Sequence, residues 1–126
     1  MHEVSVISDI VNAVLEKLEE YNVESVKSVE IVVGDMTQLG EEQLSFAYEV
    51  VTRGTILENS ELVIEREPIE VECKGCGYSG PVKVIESGDY VSHSIPILSC
   101  PECGGKIKVV AGQSCRIKSL EITEAC

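Results

Sequence analysis

The chain has few basic residues. Its 126 residues include 10 Lys and Arg against 22 Asp and Glu, a formal net charge of −12. Such an acidic surface repels phosphate backbones and anionic lipids, so nucleic acids and membrane surfaces are disfavoured as partners. No apolar run reaches the length of a membrane-spanning helix, and the amino terminus lacks the basic-then-apolar layout of a signal peptide. We therefore expect a cytoplasmic protein whose partners carry basic patches or cations.

Familiar catalytic motifs are also missing. The sequence contains no Ser-His-Asp set, no phosphate-binding loop and no glycine-rich nucleotide fingerprint. It holds two histidines, His2 and His93. Because nothing here supports hydrolysis or nucleotide chemistry, we expect a protein that is not an enzyme.

The chain does have two Cys-x-x-Cys motifs. Cys73 and Cys76 form the first, Cys100 and Cys103 form the second, and a glycine follows each motif directly. A glycine at that position permits the left-handed backbone that closes a tight knuckle around two sulfurs. Two knuckles supply four thiolates, a tetrahedral set that suits Zn²⁺. Because four thiolates leave no open coordination position, the metal is expected to be structural.

Two other interpretations of the cysteines stay open at this point, namely two disulfides or a rubredoxin-type iron site. The missing secretory signal and the paired knuckles argue against disulfides. An iron site would use the same knuckles, but aromatic residues make up only 4 % of the chain, whereas small iron carriers usually pack aromatics around the metal. The functional alternatives are therefore a rubredoxin-like electron carrier and a zinc-ribbon adaptor for protein interactions.

Hydrophobic periodicity predicts two amphipathic helices, over residues 4–21 and 41–53. The first helix is expected to bury a stripe made of Val4, Ile7, Val11, Val14, Leu18 and Tyr21. In the second, Leu44, Ala47, Tyr48 and Val51 form the stripe, with Phe46 and Val50 beside it. Strands are predicted over residues 26–33, 61–67, 106–111 and 114–124.

The last strand predicts both a β-bulge and the domain organisation. Its apolar residues occupy odd positions at Cys115 and Ile117 but even positions at Leu120 and Ile122, and alternate residues of a strand face opposite sides. One extra residue near Lys118 and Ser119 is therefore needed for all four side chains to point inward. This strand has no local partner, so it is expected to return to the earlier sheet. The predicted fold is α/β (α+β), a small mixed sheet with two helices, interrupted by an inserted zinc-ribbon-like four-cysteine domain. Residues 1–68 plus 112–126 form the first domain and residues 69–111 the second.

A second metal site is predicted at the amino terminus. The α-amine of Met1, the amide and imidazole of His2 and the amide of Glu3 offer four nitrogens in one chelate. Four in-plane nitrogens are the donor set that Ni(II) or Cu(II) prefers. The alternative is an incidental histidine at a frayed chain end. A helix that begins at once tethers this terminus, which favours the metal site.

Several segments across the chain carry a resemblance to a known family. They are Met1-His2-Glu3 before an amphipathic helix, Val32-Val33-Gly34-Asp35, Thr52-Arg53-Gly54-Thr55, the two knuckles, and Ile117-Lys-Ser-Leu-Glu121-Ile122. In combination they resemble the HypA family, the nickel metallochaperones of [NiFe]-hydrogenase maturation. The resemblance implies that the terminal segment binds Ni(II), with His2 essential, and that the knuckle cysteines hold structural zinc. It also implies a HypB-like GTPase and the hydrogenase large-subunit precursor as partners, with a homodimer left open.

Two ligands of relatives transfer less directly. Some relatives use an acidic residue in the loop after the first strand, where this chain has Gly40 with Glu41 beside it. A histidine of the inserted domain completes the nickel site in some archaeal relatives, and the resemblance makes His93 the candidate here. Cys115 is expected to be a small core residue rather than a ligand.

Overall fold

A computed structural model of the chain describes residues 2–85 and 95–125. The chain divides into two compact units. Unit 1 comprises Met1–Val33, Leu39–Glu65 and Cys115–Cys126, and unit 2 comprises Gly34–Gln38 and Arg66–Ser114. In these described ranges, no helix is both long and apolar enough to cross a membrane.

The described elements are two α-helices, one short 3-10 helix and eight strands. In chain order they are α1 (Glu3–Leu18), β1 (Val23–Gly34), the 3-10 helix (Asp35–Thr37), α2 (Glu41–Val51), β2 (Glu61–Glu67), β3 (Glu70–Glu72), β4 (Ser79–Pro81), β5 (Val84–Ile85), β6 (Ile95–Pro96), β7 (Lys108–Ala111) and β8 (Cys115–Glu124).

Helix α1 confirms the predicted periodicity in its middle but not at its ends. Its buried residues are Ile7, Ile10, Val11, Val14 and Leu18. Val4 and Tyr21 were expected in the same stripe, but 53 % of Val4 and 58 % of Tyr21 is exposed. The helix ends at Leu18, three residues earlier than predicted, so Tyr21 no longer follows the helical rotation of the stripe.

Helix α2 ends at Val51, two residues before its predicted end. The hydroxyl and the backbone N–H of Thr52, the residue after the helix, both donate to the carbonyl of Tyr48, at 2.7 and 3.0 Å. Gly54 then takes a left-handed φ of 79°, which an L-residue rarely adopts. Of the predicted stripe, Leu44, Ala47 and Tyr48 are buried, and Val51 is partly buried against the same core.

Unit 1 contains a three-stranded sheet in the order β2-β1-β8. β8 runs antiparallel to β1, which confirms that the last strand returns to the earlier sheet. Val29, Ile31 and Val33 of β1 have no exposed surface, and they pack in one core with the buried faces of α1 and α2. The two helices therefore cover this face of the sheet.

The predicted bulge lies in β8 at Lys118. Ile31 pairs with Ile117, whereas the preceding residue Glu30 pairs with Ser119, so Lys118 has no partner in the ladder. Leu120 thereby packs against the core on the same side of the sheet as Cys115. Ile117 was also expected to point inward, but 37 % of it is exposed and it is not one of the residues that pack against this core. Further register shifts on the β1 side, between residues 23 and 25 and between 26 and 28, were not predicted.

Unit 2 is built from short strands. β3 pairs antiparallel with both β4 and β7, and β5 pairs antiparallel with β6. The first knuckle joins β3 to β4, and the second lies between β6 and β7. Apart from β7, these strands have too few residues to show a two-residue period, so the sequence did not predict them.

Residues 34–38 belong to unit 2, although the sequence-based division placed them in the first domain. The N–H of Gly34 donates to the carbonyl of Ser114, and that of Met36 donates to the carbonyl of Gly112, both at 2.8 Å. A Cβ atom on Gly34 would lie 2.2 Å from the carbonyl oxygen of Gly112, so only glycine permits this approach.

Candidate metal centres

The four knuckle sulfurs of unit 2 converge on one point. All four Sγ atoms lie within 4.8 Å of one another. The closest pairs join the two knuckles: Cys76 to Cys100 at 3.5 Å and Cys73 to Cys103 at 3.7 Å. Sulfurs placed about 2.3 Å from a central Zn²⁺ in a tetrahedron would lie roughly 3.8 Å apart. The donor set therefore fits zinc, and the separations exceed the roughly 2.05 Å of a disulfide bond.

Each knuckle closes through the same backbone arrangement. The N–H of Gly77 donates to the carbonyl of Cys73, and that of Gly104 donates to the carbonyl of Cys100, each at 2.9 Å. Both glycines take positive φ angles, 80° and 74°. The left-handed glycine expected from the sequence is thereby confirmed in both motifs. These turns orient the two sulfurs of each motif toward the other motif.

The thiols do not ionise equally without a cation. Burial raises the pKa of Cys100. Hydrogen bonds from the backbone N–H groups of Cys103 and Glu102, and from the neighbouring thiols, have the larger effect and lower the pKa to about 7. A hydrogen bond from the N–H of Tyr78 lowers the pKa of Cys76. This effect is smaller than the combined effect of the hydrogen bond with Cys100, burial and the other two sulfurs, which together raise the pKa to about 12. Four thiolates at this spacing repel one another, so a bound cation is what permits all four to be deprotonated.

The centre also forms much of the interior of unit 2. Cys73 and Cys100 are buried, while Cys76 and Cys103 are exposed. Among the described hydrophobic residues of unit 2, the others that are buried are Ile69 and Val71. Two aliphatic side chains make a very small core, so a metal ion that cross-links the two knuckles would stabilise unit 2.

The amino-terminal candidates lie in unit 1, at the start of α1. His2 is exposed and precedes the helix, and its carbonyl accepts the N–H of Val6 at 3.1 Å. Glu3 is the first helical residue. Met1 and His93, the other predicted nickel ligands, lie outside the described residues.

The side chain of Glu3 connects this terminus to α2. Its carboxylate accepts the backbone N–H of Gly40, the residue before α2, at 3.2 Å. That hydrogen bond, and one from the N–H of Glu3 itself, lower the pKa of the carboxyl group below its usual 4.5. The position where some relatives carry an acidic ligand thus lies beside Glu3, and Gly40 supplies a donor there instead of a carboxylate.

A cleft beside His2 was not anticipated from the sequence. It has a volume of about 330 Å³ and is lined by His2, Glu3, Val4, Glu42, Gln43, Phe46 and Ala47. Phe46 was placed beside the buried stripe of α2, but 68 % of it is exposed. One indication in the sequence that Phe46 is exposed is that it lies beside the buried stripe of α2 and not within it.

Cys115 lies where the sequence predicted, partly buried against the core of unit 1. Burial raises the pKa of its thiol, although the nearby Arg116 lowers it slightly. A neutral thiol packed among apolar side chains is a core residue, not a metal ligand.

Comparison with known proteins decides the family. A family model described as "Hydrogenase/urease nickel incorporation, metallochaperone, hypA" matches residues 1–122. This chain belongs to the HypA family. The HypA family consists of nickel metallochaperones for hydrogenase maturation, and the four-cysteine cluster fits the structural zinc expected from the resemblance.

Curated relatives and solved structures agree with this assignment. The "Hydrogenase maturation factor HypA" of Methanothermobacter thermautotrophicus is 37 % identical over 97 % of both chains. The protein of the same name from Pyrococcus furiosus is 32 % identical over 97 % of this chain and 96 % of its own. A solution structure titled as the Ni metallochaperone HypA from Helicobacter pylori shares the fold. It has a TM-score of 0.65, 23 % identity, and coverage of 99 % of this chain and 100 % of that one.

Proposed function

We propose that this protein is a nickel carrier that binds Ni(II) through Met1, His2 and Glu3 and delivers it during [NiFe]-hydrogenase maturation. Zn²⁺ held by Cys73, Cys76, Cys100 and Cys103 has a structural role in this proposal. The proposal assigns no catalytic step to the chain. The proposed location is the cytoplasm, where reducing conditions keep cysteine thiols free to bind a metal.

One observation carries the proposal: His2 is exposed immediately before the first residue of α1. The N–H groups at the start of a helix have no acceptor within the helix. Binding a metal at the Glu3 amide would therefore break no helical hydrogen bond. The imidazole of His2 is accessible, and the His2 carbonyl ties the segment to the helix.

Delivery would occur by ligand exchange. A chelate at a chain end can be taken apart one donor at a time, so Ni(II) can pass to a protein that offers better ligands. Because the amine and the imidazole must lose protons to bind, nickel affinity should fall as the solution is made more acidic. The proposed partners are a HypB-like GTPase and the hydrogenase large-subunit precursor.

The test is calorimetric nickel titration of the untagged protein. One variant carries a single extra residue before Met1, which moves the amine and leaves every side chain in place. A second variant is His2→Ala. We expect both variants to lose high-affinity binding while their zinc content stays unchanged. Full nickel loading of both variants would contradict the proposal and favour the zinc-ribbon adaptor, for which His2 is irrelevant.

The metal in the knuckles and the role of His93 need their own measurements. A colourless protein with one equivalent of zinc is expected, whereas a red iron protein would favour the rubredoxin-like carrier. The role of His93 as a nickel ligand stays a prediction, which the same titration tests on His93→Ala.

A further inference from the structure

Unit 1 exposes apolar side chains next to the proposed nickel ligands. Phe46 is the only phenylalanine of the chain, and 68 % of it is exposed. Val50, one turn further along α2, is 42 % exposed, and Val4 of α1 is 53 % exposed. Large apolar residues grouped in this way mark surfaces that another molecule covers.

Phe46 and Val4 line a defined cavity, which we call the Phe46 cleft. His2, Glu3 and Val4 line it from the start of α1, and Glu42, Gln43, Phe46 and Ala47 line it from α2. Its volume of about 330 Å³ is enough for one or two side chains of a partner. The surface that lines it is mainly apolar.

The charges around the cleft have one sign. Among the residues that the structure describes, the charged side chains that line it are the carboxylates Glu3 and Glu42, and none of them is Lys or Arg. Glu49 adds a further exposed carboxylate on α2, three residues after Phe46. A second copy of this chain would bring equally acidic margins together, since the net charge is −12. A segment with basic side chains beside an apolar one complements the cleft.

We propose that the Phe46 cleft is the docking surface for the protein that receives nickel. The occupant is a segment of that protein in which an apolar side chain is flanked by Lys or Arg. This inference rests on the proposed function, because it assigns the cleft a role in transfer from His2. Docking there would hold the recipient's ligands beside the chelate, and the high effective concentration would favour ligand exchange over release into solution.

Binding is tested with three synthetic peptides of equal length, followed by amide chemical shifts of the nickel-free protein. The first carries a leucine pair flanked by lysines, the second replaces the leucines with serine, and the third replaces the lysines with glutamate. The first peptide should shift resonances of Val4, Phe46 and Ala47, and the other two should not. Shifts confined to other residues, or equal binding of all three peptides, would overturn the proposal.

Transfer is tested on Phe46→Ser, with Phe46→Leu as the conservative variant and Ile56→Ser as the matched control. Ile56 is an exposed hydrophobic residue of unit 1, 40 % exposed, that does not line the cleft. Nickel loss to a purified hydrogenase large-subunit precursor should slow by about tenfold or more in Phe46→Ser. The rate of transfer should be close to that of wild type in Phe46→Leu and Ile56→Ser. Glu42→Lys should also slow transfer, which gives a test that does not remove an apolar group.

The outcomes separate this proposal from the proposed function. Nickel affinity measured without a recipient should be the same in wild type and Phe46→Ser. If wild type binds no nickel, the proposed function fails. If wild type binds nickel but Phe46→Ser transfers it at the wild-type rate, only the docking proposal fails. Sedimentation that shows a wild-type dimer and a monomeric Phe46→Ser protein would make the occupant a second copy and would likewise overturn it.

Discussion

The carboxylate of Glu3 accepts a hydrogen bond from the backbone N–H of Gly40, 37 residues further along the chain. This contact joins the first residue of α1 to the residue that precedes α2. It holds the start of α1 beside α2, next to the proposed nickel ligand His2. The negative charge also lies near the positive ends of both helix dipoles, which favours the ionised carboxyl group.

Glu3→Gln should destabilise unit 1 by about 0.5–1 kcal/mol at neutral pH, because a charged acceptor becomes a neutral one. The pKa of Glu3 is lowered in the folded protein, so its contribution is complete above the unfolded value of 4.5. That contribution is lost as the pH falls through the lowered pKa. The stability difference between wild type and variant should therefore be constant down to about pH 4.5 and shrink below it. Urea unfolding at several pH values measures this, with Glu16→Gln on the exposed face of α1 as the control. A difference that grows on acidification would contradict the assignment.

Removal of zinc should unfold unit 2 and leave unit 1 folded. Structural zinc supplies about 10–16 kcal/mol in small domains. The two buried aliphatic residues Ile69 and Val71 supply only about 1.5–3 kcal/mol each. Chelation, or the substitution Cys100→Ser, should collapse the amide dispersion of unit 2 in NMR spectra. The signals of α1 and α2 should persist, because their core contains no zinc ligand. Cys115→Ser is the matched control and should retain zinc; a folded unit 2 after complete chelation would refute the expectation.

Deletion of Lys118 should destabilise unit 1 far more than Lys118→Ala. Lys118 is the extra residue of the β8 bulge, and its ammonium group lies 3.1 Å from Glu65 and 3.8 Å from Glu30 at the surface. Exposed ion pairs contribute little, so the alanine variant should unfold near the wild-type midpoint. The deletion shifts the register by one residue and turns either Cys115 or the pair Leu120 and Ile122 away from the core. We expect a loss of at least about 2 kcal/mol in denaturant unfolding. Equal midpoints for the two variants would show that the bulge does not set the register.

Gly112→Ala should destabilise unit 2 more than Gly104→Ala. Both glycines have positive φ angles, 87° and 74°. A left-handed alanine therefore costs about 1–2 kcal/mol at either position. A Cβ at Gly112 would also lie 2.7 Å from the Cα of Ile69 and from the carbonyl oxygen of Pro68, whereas nothing lies within 4 Å of one at Gly104. Thermal unfolding of the zinc-loaded proteins, followed by unit 2 amide signals, compares the two. A Gly104→Ala protein that is the less stable would contradict this packing argument.

Sequence patterns predicted the long, strongly periodic elements and the cluster of four cysteines in unit 2. The buried stripe of α1 and strand β2 correspond to predicted segments, because an amphipathic period records which face meets a core. The bulge was predictable because the apolar residues of β8 switch from odd to even positions, and one inserted residue is enough to restore the alternation of the strand. The knuckles were predictable because the Cys-x-x-Cys-Gly pattern is a local geometric requirement.

The strands β3 to β6 and the ends of α1 were not predictable, for physical reasons. Strands of two or three residues have no measurable period, and they form because their neighbours lie alongside them. Helix ends depend on where the chain finds other contacts, so Tyr21 leaves the predicted stripe. Residues 34–38 join unit 2 through backbone hydrogen bonds to Gly112 and Ser114, which side-chain patterns do not record.

The amino-acid sequence by itself determined the helical and strand periods, the two Cys-x-x-Cys motifs and the nitrogen-rich amino terminus. Each of these depends on residues that are close together in the chain. Only the tertiary structure decided that Glu3 meets Gly40 and that Phe46 faces a cleft instead of the core. Those placements depend on how α1 and α2 pack together. That packing is set by the burial of apolar side chains from all parts of unit 1, so it cannot be predicted from any one local segment of the sequence.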